Sequence, residues 1–379
     1  MPDTFNRRHG YWDAPLCDSH IHLTNLMRVT DTERVFETCA RFFGIERLCL
    51  LALPHSTGPD DPSNNLKALW LKLKLGEKLG SDRAYAFCGL WHHFDRRDTP
   101  GSLRDQLARL MDMGFDGYKT LMGKPPLRKR LGVPLCDDLF DGVWSYCEKA
   151  GVPVTMHLGD PGQWWEKGPD GQVPAYDGAY LPLSQARDEV ETILKKHPDL
   201  DLLLCHFYFI ADDPEGARTL MARHPNVRLD ITPGGEMYAH FSRQPDEWRD
   251  FFRLYRRRIL FGSDTDNWAV PATLSDYDPW FRYPFKLVKD SMERHEPFED
   301  HDWGTLNPVD PGRDVLEDIY HDNFVRRMGA PRAIDRRALN EVAGALLSTA
   351  YREYTLDQGD QARWACDMLS LTDMRASLA

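Results

Sequence analysis

Ala14-Pro15-Leu16-Cys17-Asp18-Ser19-His20-Ile21-His22 is a short apolar run that ends in two histidines spaced two apart. Side chains two apart on a strand point the same way, so both imidazoles share one face. That face gains chemistry only if ligands converge on it from elsewhere. Three later runs supply them: Val152-Pro153-Val154-Thr155-Met156-His157, Leu202-Leu203-Leu204-Cys205-His206, and Ile259-Leu260-Phe261-Gly262-Ser263-Asp264. Four strand-like runs, each with a His or Asp at its C-terminal tip, form the pattern of a metal site at the mouth of a parallel barrel. An enzyme is expected.

Working outward, short β-type runs alternate with longer amphipathic ones. The pattern predicts strands over Leu16–Leu23, Ile45–Leu53, Ala84–Leu90, Gly117–Leu121, Val152–His157, Leu200–His206, Val227–Ile231 and Ile259–Gly262. Helices are predicted over Asp31–Phe43, Asn64–Leu79, Leu103–Met113, Asp138–Lys149, Ser184–Lys196, Asp213–Arg223, Pro245–Tyr255 and Val315–Met328. Eight βα units fit a closed (β/α)8 barrel of the α/β class better than an open sheet. Asp213-Pro214-Glu215 reads as an Asp N-cap followed by Pro at N1, and Ser184 as a plain N-cap. His197 and His224, each before a proline at a helix end, read as solvent-side residues.

The chain divides into an N-terminal arm (1–13), the barrel (14–330) and a C-terminal helical tail (331–379). The loops Gly159–Pro182 and Asp266–Gly312 are longer than ordinary βα connections and belong at the C-terminal face as lid or specificity segments. Composition sets limits. With 379 residues, 42% of them hydrophobic and 28% charged, a sizeable core is possible. A net charge of −12 disfavours nucleic acid and anionic membrane as partners. Met1 to Gly10 lacks the apolar stretch of a secretory signal, and no run reaches the ~20 residues of a membrane span, so a cytoplasmic location is expected. The eight cysteines include no CxxC pair, and Cys17, Cys49, Cys88 and Cys205 read as buried reduced thiols.

His20, His22, Lys119, His157, His206 and Asp264 thus come in order from strands one, one, four, five, six and eight. This ordered set resembles the amidohydrolase superfamily, in particular its amidohydrolase-related TIM-barrel branch of hydrolases and decarboxylases. Ile319-Tyr320-His321-Asp322-Asn323-Phe324 resembles that branch's last barrel helix. The resemblance covers about residues 14 to 330. It implies that His20, His22, His157 and Asp264 ligate one divalent metal, with His206 just beyond it. Zn2+ is the default expectation, and Mn2+, Fe2+ and Co2+ accept the same ligands.

The chemistry explains the residue types. Neutral imidazoles and one carboxylate leave a cation an open position for water, whose pKa falls from 15.7 towards ~7. Asp264 then accepts a proton and His206 polarises a carbonyl or stabilises an oxyanion. Asp18 is expected either to orient a ligand imidazole or to be a plain strand-edge acid. Lys119 reads as a cation for an anionic substrate group. The alternative is the carbamylated lysine that bridges two metals in binuclear relatives. Lys124 and Arg128 would suit a carboxylate-bearing substrate or form a solvated basic loop.

His92, Trp164 and Tyr208 are further substrate-contact candidates, with Trp165, Glu166, Glu236, Tyr238 and His240 as weaker ones. One of the adjacent His92 and His93 must point away. There is no GxSxG elbow, and Gly117 to Lys124 departs from a phosphate loop in spacing and in having Pro125 where Ser or Thr belongs. Three functions stay open. The first is a metal-dependent hydrolase of an ester, lactone or amide, the second a non-oxidative decarboxylase of an aromatic or unsaturated acid, and the third a silent binding barrel. The expected partner is a small-molecule substrate, with a homodimer plausible from the helical tail.

Overall fold

The structure, a computed structural model, describes residues 14–23, 27–57, 60–166, 175–266, 282–357 and 359–379. The expected N-terminal arm, 1–13, lies outside them, as do 167–174 and 267–281 of the two long loops. Eight strands follow one another around a single all-parallel sheet: β1 (Leu16–His22), β2 (Ile45–Leu51), β3 (Ala84–Cys88), β4 (Gly117–Gly123), β5 (Val154–Leu158), β6 (Leu202–Leu204), β7 (Val227–Asp230) and β8 (Ile259–Leu260). The helices between them are α1 (Val29–Phe43), α2 (Asn64–Leu79), α3 (Pro100–Asp112), α4 (Pro125–Leu131), α5 (Asp138–Ala150), α6 (Leu183–Lys196), α7 (Pro214–Arg223), α8 (Met237–Arg243) and α9 (Pro245–Tyr255). This is the expected (β/α)8 barrel. After it come α10 (Tyr283–Glu293), a hairpin of β9 (Phe298–Asp300) with β10 (Gly304–Leu306), then α11 (Arg313–Glu317), α12 (Asn323–Met328), α13 (Arg336–Leu356) and α14 (Gln361–Leu378). No helix among the described residues is long and apolar enough to cross a membrane.

β8 has only two residues, so the ring closes by single bonds instead of a regular ladder. Ser19 N–H donates to the Phe261 carbonyl at 3.1 Å, Asp264 N–H to the His20 carbonyl at 3.0 Å and His22 N–H to the Thr265 carbonyl at 2.8 Å. β1 carries a register shift between Asp18 and Ile21. Such irregularities re-aim side chains beside active sites. The floor of the barrel is a cluster of Cys17, Cys49, Leu51, Tyr85, Phe87, Leu203 and Leu260, capped from below by Phe324.

Most helices bury one stripe, as α1 does with Val29, Val35, Phe36, Cys39, Ala40 and Phe43. α2 is different. It is buried along most of its length because α13 and α14 cover its outer side, with Trp70 Nε1 donating to Ser377 Oγ at 2.7 Å. Its buried lysines are paired, Lys72 with Asp116 at 2.8 Å and Lys67 with Asp61 and Asp367, as buried charges must be. The tail is therefore a packing element of the barrel wall.

Several local expectations change. The predicted helix Val315–Met328 is interrupted by a π-turn at Asp318–Asp322. α6 starts at Leu183 behind Pro182, so Ser184 is inside the helix and is no cap. Asp213 does cap α7, accepting from Gly216 N–H at 2.9 Å. His197 and His224 are buried, not solvent-side. His197 bridges Asp141 and Glu148 across α5, and His224 pairs with Glu191 at 2.8 Å, because each helix end packs on its neighbour.

Candidate active site

The barrel brings the tip residues together. His20 Nε2 and His22 Nε2 face each other at 3.0 Å, and Asp264 Oδ1 lies 3.5 Å from both. Ligand atoms of His20, His206 and Asp264 all lie within 4.8 Å of one another. The His206 ring is 5.1 Å from that of His20 and 4.8 Å from that of His157. Gly262 allows this closeness, since a Cβ there would sit 2.7 Å from His20 Cβ and 2.1 Å from Thr232 Oγ1.

Hydrogen bonds on the far side of each ring set its tautomer. His20 Nδ1 is 2.9 Å from Asp230 Oδ2, and His22 Nδ1 is 3.2 Å from the Leu51 carbonyl. His206 Nδ1 faces the Pro233 carbonyl at 3.0 Å, and His157 Nε2 faces the Gly159 carbonyl at 2.9 Å. Each of these nitrogens donates to an oxygen, which leaves the other ring nitrogen with a lone pair. Burial holds His20 and His22 well below the ordinary imidazole range, and burial together with Lys124 lowers His157 to about 3. Burial alone would raise Asp264, but His206, His20, His22 and Lys119 outweigh it and keep the carboxyl below its usual range. Two imidazole lone pairs thus converge with a carboxylate, and the Lys119 ammonium stands 3.4 Å from one of them, His20 Nε2. The donor set fits a divalent metal with nitrogen and oxygen ligands.

Asp230, at the end of β7, was missing from the expected site. It is fully buried and serves two tip residues, taking His20 Nδ1 on one oxygen and the His206 backbone N–H on the other at 2.7 Å. Its signal in the sequence was its position, an acid closing the strand Val227-Arg228-Leu229-Asp230. Asp18 orients no ring. It accepts from Ser263 Oγ at 2.6 Å, from Ser263 N–H at 3.1 Å and from the His20 backbone at 3.1 Å, and so staples the Gly-Ser-Asp turn to β1.

Lys119 is one layer below the strand tips, paired in register with Thr155, two residues before His157. Its buried Nζ is 3.4 Å from His20 Nε2 and 3.2 Å from Cys205 Sγ. With His55, His92, Leu53, Leu90 and Met122 it lines a small cavity. Of the two adjacent histidines, His92 is buried and turned inward, and burial lowers it to about 4. His93 is outside with Asp98 at 2.8 Å. Lys124 is tied to Asp160, and Arg128 is held by Glu189 at 2.6 Å, so both are engaged within the protein. Trp164 is half-exposed, 5.5 Å from Lys124 Nζ, and Tyr208 is buried under the Arg187 guanidinium on the α6 side.

The turn after β6 has an unusual backbone. His206, Phe207, Tyr208 and Phe209 have φ of 52°, 51°, 58° and 48°, four left-handed residues in a row with no glycine. Such a conformation costs roughly 1–2 kcal/mol per residue. Its effect is to fold Phe209 back, so that its ring stacks on His206 at 5.4 Å and meets His157 edge-on at 5.7 Å.

A family model described as amidohydrolase matches residues 80–326. No curated protein matches the chain in sequence. Among solved structures, a TIM-barrel protein from Bordetella bronchiseptica is 14% identical with a TM-score of 0.50, covering 83% of this chain and 98% of its own. A probable 2-pyrone-4,6-dicarboxylic acid hydrolase from Acinetobacter baumannii is 11% identical, with a TM-score of 0.48 over 83% of this chain and 99% of its own. An IDCase from Metarhizium anisopliae is 13% identical, with a TM-score of 0.46 over 83% of this chain and 97% of its own.

Proposed function

Because the chain belongs to the amidohydrolase family, we propose that it is a metal-dependent hydrolase acting on an ester, lactone or amide of a small, carboxylate-bearing substrate. The observation that carries this reading is the convergence of His20 Nε2, His22 Nε2 and Asp264 Oδ1, within 3.0 to 3.5 Å of one another. His20, His22, His157 and Asp264 would hold the ion, with Zn2+ the best match to three imidazoles and a carboxylate. A bound divalent cation supplies Lewis acidity and acidifies water at neutral pH.

The chain's own groups do the rest. Asp264 is the open member of the set, its side chain 38% exposed, and it stays ionised, so it accepts the proton of the attacking water. His206, with Nδ1 committed to Pro233, keeps Nε2 free to exchange a proton with the reacting oxygen. Phe209 walls off water behind His206 and His157. Lys119, its Nζ 3.4 Å from His20 Nε2, supplies positive charge at the base of the site for an anionic group of the substrate.

A second reading is a non-oxidative decarboxylase, in which the same histidines and Asp264 would bind substrate oxygens and position a proton donor. Turnover in oxygen-18 water, with carbon dioxide monitored, separates the two. Label in the organic product supports hydrolysis, and carbon dioxide release with no label in the organic product supports decarboxylation.

A further inference from the structure

The four-residue left-handed turn after β6 needs something to hold it, since its sequence, His-Phe-Tyr-Phe, has no intrinsic preference for positive φ. We infer that Arg187 of α6 is a positioning residue that fixes this turn and thereby sets the His206 ring and its Phe209 wall. The catalytic part of this inference rests on the hydrolytic reading above. The structural part does not.

Three observations carry it. First, the Arg187 guanidinium donates through Nη2 to two carbonyls of the turn, Tyr208 at 3.1 Å and Phe209 at 2.7 Å. These belong to its last two residues, the ones that carry Phe209 back over the site. Second, the same guanidinium lies 5.3 Å from the Tyr208 ring centroid. Tyr208 is thereby drawn outward while its neighbours on either side, Phe207 and Phe209, take other directions. Phe207 packs into the cluster of Phe241, Trp248, Phe251 and Phe252. Third, the entry to the turn is fixed from the opposite side, where Asp230 accepts the His206 N–H. The turn is therefore held at one end by a carboxylate and at the other by a guanidinium.

Charge explains why arginine serves here. The guanidinium is planar and stays protonated when buried, and its Nη2 serves two carbonyls while its face lies on an aromatic ring. A lysine offers a point charge without the planar face that lies on Tyr208. The Arg187–carbonyl bonds place no charge on the reacting atoms, so Arg187 acts only through the geometry of the turn.

The test compares wild type with Arg187→Ala and Arg187→Lys, each with and without millimolar methylguanidine. Two readouts are taken on protein carrying carbon-13 histidine. One is the ring-proton shift of His206, which the stacked Phe209 ring moves upfield. The other is kcat and KM for whichever ester or lactone the wild type turns over. In Arg187→Ala the His206 signal is expected to move toward its unstacked position, kcat to fall roughly 100-fold as expected for a small misplacement, and KM to change little. Methylguanidine should restore both, and Arg187→Lys should recover neither fully. A His206 signal unchanged in both variants overturns the inference. So does a shift that methylguanidine fails to restore in Arg187→Ala that folds, as judged by circular dichroism. If Arg187→Ala does not fold, Arg187→Lys alone decides, by whether its His206 signal moves. A wild type without hydrolytic turnover sinks the functional reading, while the shift measurements still decide the role of Arg187.

Discussion

Asp230 Oδ2 lies 2.9 Å from His20 Nδ1, across 210 residues of chain, and its Oδ1 simultaneously holds the His206 backbone. One buried carboxylate therefore sets both the ring of a metal-ligand candidate and the start of the turn that bears a catalytic candidate. Partners of this kind typically change metal affinity 10–100-fold when removed. Asp230→Ala is expected to weaken zinc binding by about that factor, read by competition with a chromophoric chelator. Unchanged affinity would show that the His20 ring needs no such anchor.

Lys119 bears on the substrate. Its ammonium is buried next to His20 and Cys205, and a hydrogen bond to a charged group contributes about 1.5–3 kcal/mol. Lys119→Met should raise KM for a carboxylate-bearing substrate roughly 10- to 100-fold, with a smaller effect on its methyl ester. Equal losses for both would remove Lys119 from anion recognition. Dependence of wild-type activity on added bicarbonate would point instead to the carbamylated form.

Asp18 is structural. Fully buried, it accepts three hydrogen bonds where β1 meets the strand-eight turn. Leaving such donors unsatisfied costs about 1–3 kcal/mol each, so Asp18→Ala should lower unfolding stability by about 3 kcal/mol or more in urea titration. A loss within ~0.5 kcal/mol, the ordinary range of a surface substitution, would mean that the seam does not depend on it.

A pH effect arises far from the metal candidates. Asp61 and Asp367 share the ammonium of Lys67 at 3.0 and 2.6 Å, all buried. Burial, with Asp61 second, pushes the Asp367 carboxyl up to about 6 from 3.8. The folded form holds this proton more tightly than the unfolded one. Its stabilising contribution is thus complete below about pH 4 and is lost as pH rises through about 6. Asp367→Asn removes that slope, so its Tm relative to wild type should rise between those two pH values. A constant difference across the range would contradict it.

What the sequence revealed follows from what is local. α2 and α9 keep their expected limits, Asn64–Leu79 and Pro245–Tyr255, because leucine periodicity and an N-terminal proline mark them directly. The convergence of His20, His22, His206 and Asp264 was legible because strand tips in a parallel barrel share one mouth. Asp230 was not, since an acid ending a strand looks like any turn residue until its distant partner is known. The left-handed turn was hidden for a related reason. Positive φ is usually signalled by glycine or asparagine, and His206 to Phe209 contains neither. The burial of Lys67 and Lys72 was not legible, because the helices that cover α2, α13 and α14, begin only at Arg336 and Gln361.

The ring closes between β1 and β8 by isolated bonds and not by a continuous ladder. His20 and His22 stand on one side of that joint and Asp264 on the other. Any ion gripped by all three rivets the barrel across its least reinforced line. Loading and mechanical closure then become a single equilibrium, and depletion of the ion should loosen this joint first, exposing the amides of Ser19, His22 and Asp264 to solvent exchange ahead of the remaining staves.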